Sequence, residues 1–242
     1  MTIEFVLFQV LLFGVALSAN SLSAFAGGGA GLIQLPLLIF LGLPFPVALA
    51  THKLASVSLG IGASIRHFQE KSLRPFLVFL ILFCGLPGVF LGASVVLSLS
   101  ENVSLILLGV LTFSLGLYSS AQSQLGIREN SFRFTKSNLF IGGLVLFLLG
   151  FLNGSFSSGT GLFVSLWLVS WFGLPFTKAI GYTLILVGFF WNGTGALVLG
   201  LNGQIQWAWL PMLLLGSIGG GYVGAHFSLL KGNKFVKTIF EG

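Results

Sequence analysis

Residues 76–97 read FLVFLILFCGLPGVFLGASVVL, a run without a single charged side chain. A helix that crosses the hydrocarbon core of a bilayer needs about 20 predominantly apolar residues, and this run is long enough. A second run of the same kind, 103–117, follows closely. The strands of a membrane barrel would alternate apolar and polar side chains, whereas these runs are continuous. The sequence therefore predicts an all-α polytopic membrane protein.

The composition of the whole chain indicates that lipid is its main solvent. Hydrophobic residues make up 55% of the chain and charged residues 7%, and the mean hydropathy is +1.04. In soluble domains about a quarter of all residues are charged, because their surfaces face water. The single cysteine, Cys84, excludes a disulfide framework. We expect no metal site and no cofactor.

The net charge of +6 is a signal of membrane topology. The basic residues are concentrated in short loops between apolar segments, which is typical of the cytoplasmic side of a membrane protein. Lipid is the expected environment, and we do not expect nucleic acid as a partner. The pattern predicts a multi-pass protein of the inner (cell) membrane with its amino terminus outside.

The apolar runs divide the chain into about eight to nine membrane segments, because each is close to the length of a spanning helix. Gly-Leu-Pro at 42–44 and at 173–175 marks tight turns between neighbouring segments. The predicted segments lie near 3–22, 25–43, 47–66, 75–97, 102–121, 138–154, 157–173, 176–201 and 206–230.

The two halves of the chain contain matching motifs in the same order. Gly29–Leu32 matches Gly159–Leu162, and the two Gly-Leu-Pro-Phe motifs follow each of them at a similar distance. About five segments separate equivalent points of the two halves. An odd number of segments gives the second half the opposite orientation in the membrane, as in many secondary transporters. The sequence predicts two inverted repeats, 1–121 and 138–242, joined by a basic cytoplasmic linker, 122–137.

Two glycine-rich elements are the first candidates for a binding site. Gly27–Gly31 and Ser157–Gly161 each precede a firmer helical run, and glycine disfavours helix by about 1 kcal/mol relative to alanine. If the backbone unwinds there, interrupted or re-entrant helices begin inside the membrane and direct free N–H groups toward an anion. The alternative is close helix packing through small residues. The candidate ligands in these elements are Gly28, Gly29, Gly31, Gln34, Ser157, Ser158, Gly159, Thr160 and Gly161.

Thr51-His52-Lys53 is the second candidate, because it places an ionisable pair inside a predicted span. A charged group in a span usually faces a cavity or a partner, and no acidic residue is nearby in sequence. A transported anion could balance Lys53; the alternative is that its side chain extends to the membrane surface. His52 could move a proton, or be an ordinary hydrogen-bonded residue.

Three further polar residues within the predicted spans either line a path or bond across helices: Asn153, Thr183 and Asn192. No Asp or Glu falls in the middle of an apolar run. Carriers of cations usually place a carboxylate on the path, so its absence favours an anion.

Several of these motifs together resemble the TauE/SafE family of sulfite and organosulfur-anion exporters. The resemblance rests on 27–36, 42–44 and 50–54 in the first half, and on 150–154, 158–161, Asn192 and 203–207 in the second. It implies a secondary transporter that moves sulfite or an organosulfonate by alternating access between the repeats. Members of the family commonly continue into another helix after the point that matches 235–242, so we expect the second repeat to lack its last helix.

We therefore predict a transporter for a small anion and not an enzyme, with no catalytic residues. One alternative is an intramembrane serine hydrolase that uses Ser157 or Ser158 with His226 as the base; another is an anion channel or a scaffold. The sequence leaves open whether the protein forms a homodimer.

Overall fold

The computed structural model describes residues 3–67, 73–120 and 135–241, and every regular element within these ranges is helical. The helices are α1 (Ile3–Ala26), α2 (Ala30–Phe40), α3 (Phe45–His67), α4 (Pro75–Val96), α5 (Glu101–Ser120), α6 (Lys136–Phe156), α7 (Thr160–Ser170), α8 (Phe176–Tyr182), a π-helix (Thr183–Trp191), α9 (Asn192–Leu201) and α10 (Leu210–Glu241).

Five stretches of helix among the described residues are long and apolar enough to cross a membrane. They are Ile3–Ala26, Pro75–Val96, Lys136–Phe156, Phe176–Leu201 and Leu210–Gly232. Shorter apolar helices accompany them, and the prediction of an all-α multi-pass membrane protein is confirmed in this form. The total of eight to nine segments and the inverted repeat stay predictions, and most of the predicted linker, 122–137, lies outside the described residues.

The two Gly-Leu-Pro motifs end helices as predicted. α2 ends at Phe40, and Gly42 has a φ of 97° in the turn before α3. α7 ends at Ser170, and Gly173 has a φ of 69° in the turn before α8. A positive φ carries little steric cost for glycine, so the chain reverses sharply at both points.

The closest helix pairs are α1 with α10 and α4 with α6, and glycines make both contacts possible. A Cβ on Gly216 or on Gly220 of α10 would lie 2.6 Å from a backbone oxygen of α1. Gly88 of α4 and Gly154 of α6 are pressed equally closely against the facing backbone. Small residues let membrane helices approach closely enough to gain dispersion energy, which replaces the hydrophobic driving force absent in lipid.

α3 is the central helix of the molecule, packed against α10, the π-helix and α9. Its first turn is held by the backbone N–H of Phe45, which donates to Glu101 Oε1 at 3.1 Å. Gly60 of α3 lies so close to the π-helix that an added Cβ would be 2.6 Å from Phe189 N. The side chains of α3 therefore lie at the middle of the helix bundle.

The backbone is regular at Asn192, although glycines follow it at 193 and 195. Asn192–Leu201 is a regular α-helix, and the irregular part is the π-helix before it. Gly195 serves packing instead, because a Cβ there would lie 2.8 Å from Cδ of Lys53. The glycine makes room for a side chain of α3.

Candidate functional site

The first glycine-rich element breaks the helix between α1 and α2. Gly27, Gly28 and Gly29 have φ angles of 99°, 122° and 101°, which the backbone of other residues rarely adopts. α2 begins at Ala30, before the predicted glycine-rich element ends, so Gly31 already lies in the helix. Its eleven residues span roughly 16 Å, about half of the ~30 Å hydrocarbon core.

The second element breaks the chain between α6 and α7 in the same manner. Ser157 has a φ of 59° and Gly159 a φ of 68°, and α7 begins at Thr160 with the same length as α2. Here side chains hold the break, because Asn153 Nδ2 donates to Thr160 Oγ1 at 2.9 Å. The Thr160 hydroxyl in turn donates to the carbonyl oxygen of Ser157, also at 2.9 Å.

The two breaks meet each other. A Cβ on Gly28 would lie 2.7 Å from the carbonyl carbon of Gly161, so the two chains touch through bare backbone. Ser158 Oγ donates to the carbonyl oxygen of Gly31 at 3.3 Å, and Ser165 Oγ to that of Gly27 at 2.6 Å. The amino-terminal ends of α2 and α7, each with a partial positive charge, are therefore neighbours.

A cavity of about 30 Å³ lies beside this contact, with room for one or two water molecules. Nine of the predicted site residues line it: Gly28, Gly29, Gly31, His52, Asn153, Ser157, Gly161, Thr183 and Asn192. Seven residues that we did not predict also line it: Ser23, Ala30, Ser56, Leu59, Leu184, Val187 and Gly188. The wall described here contains amide, hydroxyl and imidazole groups and no carboxylate.

His52 is fixed within this wall by neighbours on both ring nitrogens. Its Nδ1 lies 3.2 Å from Gln34 Oε1, and its Nε2 lies 3.3 Å from Ser56 Oγ. Gln34 is completely buried but lies behind the cavity wall, where Asn20 Nδ2 also donates to its Oε1. Ser56 follows His52 by one helical turn, a spacing that could have identified it from the sequence.

Lys53 is completely buried, so the alternative that its side chain reaches the membrane surface is wrong. Its Nζ donates to the backbone oxygen of Asn153 at 2.6 Å and to Asn153 Oδ1 at 3.3 Å. Among the described residues no carboxylate forms an ion pair with it. Lys53 lies behind Asn153 rather than in the cavity wall, and it joins α3 to the second break.

The remaining predicted residues lie near the cavity without lining it: Gln34, Thr51, Lys53, Ser158, Gly159 and Thr160. Thr51 is turned toward the loop before α10, where its Oγ1 accepts a hydrogen bond from Gln206 N at 3.0 Å. Ser165 was missed altogether; it touches both Gly27 and Thr183, and a lone serine in an apolar helix gave no signal of this.

The chain is similar to known proteins along nearly its whole length. A family model described as Sulfite exporter TauE/SafE matches residues 12–242. A "Probable membrane transporter protein" of Haemophilus influenzae is 31% identical over 229 residues, which cover 95% of this chain and 88% of that relative. The "Probable membrane transporter protein YfcA" of Escherichia coli K12 is 30% identical over 235 residues, covering 95% and 84%.

A third relative, the "Probable membrane transporter protein ORF9" of a Sinorhizobium species, is 29% identical over 233 residues, which cover 94% of this chain and 86% of that protein. No solved structure matches the chain. The family description and the names of these relatives agree with a multi-pass membrane protein. The chain belongs to the TauE/SafE family of membrane transporters.

Proposed function

We propose that the protein is a secondary transporter of a small anion, and that the substrate is an oxygen-rich sulfur anion such as sulfite or an organosulfonate. It acts in the inner membrane, and the anion binds where the two helix breaks meet. The family description, which names sulfite, supports the substrate class. The site itself supports the sign of the charge.

The meeting of two helix amino termini at one polar cavity carries this proposal. Each terminus exposes backbone N–H groups and a partial positive charge, worth about 0.3–1 kcal/mol for an anion near a helix end and more where it is partly buried. Asn192 and Thr183 add side-chain groups to the cavity wall. Lys53 lies behind Asn153 without a described counter-ion, so its charge also favours an anion in the cavity.

The size of the cavity supports alternating access. About 30 Å³ holds one or two waters, so a larger anion requires the walls to separate. The glycine contacts between Gly28 and Gly161, and between Gly60 and the π-helix, are smooth surfaces along which packed elements could slide. The closed arrangement is then an occluded state.

The helix contacts also support an inverted repeat. The motifs at the two breaks pair α1 with α6, and Gly85–Gly88 followed by Gly92-Ala93 in α4 resembles Gly216–Gly219 followed by Gly224-Ala225 in α10. Exchange of the two halves therefore turns the α1–α10 contact into the α6–α4 contact. These two pairs are the closest in the molecule. The same ancestral helix contact would then occur twice in the molecule.

The hydrolase alternative receives no support from the contacts of its proposed base. His226 lies on α10, where its Nδ1 accepts a hydrogen bond from Arg66 Nε at 3.3 Å. Ser157 Oγ donates to Asn192 Oδ1, and a nucleophile needs its base within about 3 Å. A channel is separated from a carrier by electrical recording, since it passes many ions at each opening.

Counterflow in proteoliposomes tests the proposal directly. The purified protein is screened with sulfite, thiosulfate, methanesulfonate and acetate, and we expect exchange of sulfur oxyanions above that of acetate. Asn192→Leu replaces a polar wall group by an apolar one of similar size, and we expect it to reduce exchange at least about tenfold, the loss of one good hydrogen bond.

Asn202→Leu is the matched control, because Asn202 is exposed at the end of α9 and bonds only locally to Val198 O at 2.8 Å. We expect normal exchange in this variant. Absence of anion exchange by the wild-type protein, or equal exchange by both variants and wild type, would reject the proposed site.

A further inference from the structure

We propose that the anion carried by this protein bears its own hydrogen-bond donor, so that an acid monoanion such as hydrogen sulfite is bound in preference to a sulfonate of the same charge and size. The inference rests on the proposed function and narrows its substrate class. It follows from a chain of buried amide groups that determines which nitrogen of His52 carries hydrogen.

The chain begins at the backbone oxygen of Ala16. Asn20 Nδ2 lies 2.7 Å from it, so the amide nitrogen of Asn20 must face that oxygen, because two oxygens at this distance would repel. The same NH₂ group lies 3.2 Å from the side chain of Gln34 and 3.0 Å from Ser217 Oγ. One hydrogen of this NH₂ group goes to Ala16 O and the other is shared between Ser217 Oγ and Gln34; because an NH₂ group can only donate, the oxygen of the Gln34 amide faces Asn20.

The orientation of Gln34 then determines the tautomer of His52. The same oxygen, Gln34 Oε1, lies 3.2 Å from His52 Nδ1. A carbonyl oxygen accepts hydrogen bonds and cannot donate, so Nδ1 carries the hydrogen. In the neutral imidazole the other nitrogen, Nε2, is therefore an acceptor.

The acceptor nitrogen lies at the cavity wall. Nε2 is 3.3 Å from Ser56 Oγ, a long hydrogen bond, and both residues line the cavity. On its other side is Gly31, where an added Cβ would lie 3.1 Å from Nε2. The same Cβ would lie 3.0 Å from Ser158 Cα, so the missing side chain of Gly31 leaves a narrow space between Nε2 and the second break.

One acceptor among donors has a chemical consequence for the ligand. The helix ends and Asn192 offer hydrogen to the oxygens of an anion, whereas Nε2 offers a lone pair. A sulfonate presents three oxygens and no donor, so one of them would face this lone pair and repel it. Hydrogen sulfite presents a hydroxyl that donates to Nε2, and rejection of a ligand that lacks the required group is the stronger kind of discrimination.

The charged and titratable groups around His52 do not replace this acceptor. Lys53 is its neighbour in sequence, but its Nζ bonds to Asn153 on another wall. Among the described residues that line the cavity, His52 is the one titratable group. The side chains that bond to the ring are the neutral ones of Gln34 from α2 and Ser56 from α3.

Nitrogen NMR of the protein in lipid nanodiscs tests the tautomer without any transport assay. The chain has three histidines, and the signal of His52 is the one lost in His52→Leu. Near neutral pH we expect a hydrogen-bearing Nδ1 and a bare Nε2. Gln34→Met removes the acceptor that holds the hydrogen on Nδ1, and we expect a mixture of tautomers. A hydrogen on Nε2 in the wild-type protein would overturn the inference.

Competition between two monoanions tests the specificity. At mildly acidic pH hydrogen sulfite is the main sulfite species, whereas methanesulfonate has the same charge but carries three oxygens, a methyl group and no hydroxyl. We expect the wild-type protein to prefer hydrogen sulfite by at least about tenfold, the value of one well-placed hydrogen bond. His52→Leu should reduce the ratio toward one.

His226→Leu is the control, since it makes the same chemical change at a histidine that bonds to Arg66 outside the cavity. Its preference ratio should equal that of the wild type. If both anions are exchanged equally well, the inference is rejected and the proposed function stands. If neither anion is exchanged, the proposed function and the inference are rejected together, whereas the NMR result still reports the tautomer.

Discussion

The two helix breaks are alike in backbone geometry and different in how they are held. The first, Gly27–Gly29, consists of glycines alone and has no side chain of its own. The second, Ser157–Gly159, is held by Asn153 and Thr160 through hydrogen bonds of their side chains. A glycine break therefore depends on other helices for its shape, whereas the second break is largely stabilised by its own segment.

Other helices supply what the first break lacks. Ser165 of α7 bonds to the carbonyl oxygen of Gly27, and Gln34 connects α2 to His52 of α3. Lys53 of α3 reaches the opposite way, to the second break. α3 thus connects the two breaks. The site is not symmetric, because its ionisable residues, His52 and Lys53, both come from the first half of the chain.

The largest effect is expected where the two breaks touch. In Gly28→Ala the new Cβ would lie 2.7 Å from the Gly161 backbone, on a residue whose φ is 122°. Backbone cannot yield as a flexible side chain can, and a strained φ alone costs on the order of 1–3 kcal/mol. We expect loss of transport and a fall in thermal stability of several kcal/mol, measured by unfolding in detergent and by counterflow.

Gly42→Ala is the control for this substitution. Gly42 has a φ of 97°, but a Cβ there would meet nothing within 4 Å. The difference between the two variants isolates the contact between the breaks. Equal stability losses in Gly28→Ala and Gly42→Ala would mean that the contact contributes nothing.

The second largest effect is expected from the link between α3 and the second break. Lys53→Met keeps most of the side-chain volume and removes the ammonium. The substitution removes the cost of burying an ammonium but leaves Asn153 Oδ1 without this donor; these two effects oppose each other, so we expect a folded protein. Transport should fall at least about tenfold, because the field of the ammonium near the cavity is lost, equivalent to roughly 1.4 kcal/mol.

Lys136→Met serves as the control for Lys53→Met, since Lys136 is exposed at the start of α6. Size-exclusion profiles and counterflow rates are measured for both variants. Full transport by Lys53→Met would remove this residue from the mechanism, and poor folding of Lys53→Met alone would assign it a structural role.

A smaller effect is expected from Ser165→Ala. This change leaves the carbonyl oxygen of Gly27 without the hydroxyl that lies 2.6 Å away, and it also removes the contact with Thr183. An unsatisfied buried acceptor costs about 1–3 kcal/mol. We expect this loss in thermal unfolding, whereas Ser94→Ala, at an exposed serine that bonds within α4, should change stability by less than about 0.5 kcal/mol. Equal stability in both variants would show that the first break does not need α7.

The smallest effect is expected from making the second break resemble the first. Ser157 has a φ of 59°, so Ser157→Gly relieves strain while it raises the entropy of the unfolded chain by a similar amount. We expect a stability change within about 1 kcal/mol and preserved transport. Abolished transport in this variant would mean that the Ser157 hydroxyl, which bonds to Asn192, is essential.

Most of the local structure could be predicted from the sequence. Apolar runs such as 76–97 indicated helices, the Gly-Leu-Pro motifs indicated turns, and the glycine tracts indicated where helices break. The error of one or two residues at Gly31 and Thr160 is ordinary, since helix ends are poorly defined by propensity. The π-helix could not be predicted, because its apolar residues have no pattern that separates it from an α-helix.

The site was harder to predict, for a physical reason. Because the nearby sequence contains no carboxylate, Lys53 was expected to face a transported anion or the membrane surface, yet it bonds to Asn153, a hundred positions away. Ser165 and Ser23 looked like ordinary small residues of apolar helices. Their roles depend on which helix faces them, and neither propensity nor spacing contains that information.

The sequence by itself determined that this chain is a helical membrane protein with two interrupted helices, because hydropathy and the flexibility of glycine act within a few residues. The tertiary structure decided that the two interruptions meet, that α3 joins them and that Gln34 orients the ring of His52. Those outcomes depend on close packing between helices that are distant along the chain, where a single added carbon at Gly28 or Gly60 would prevent contact.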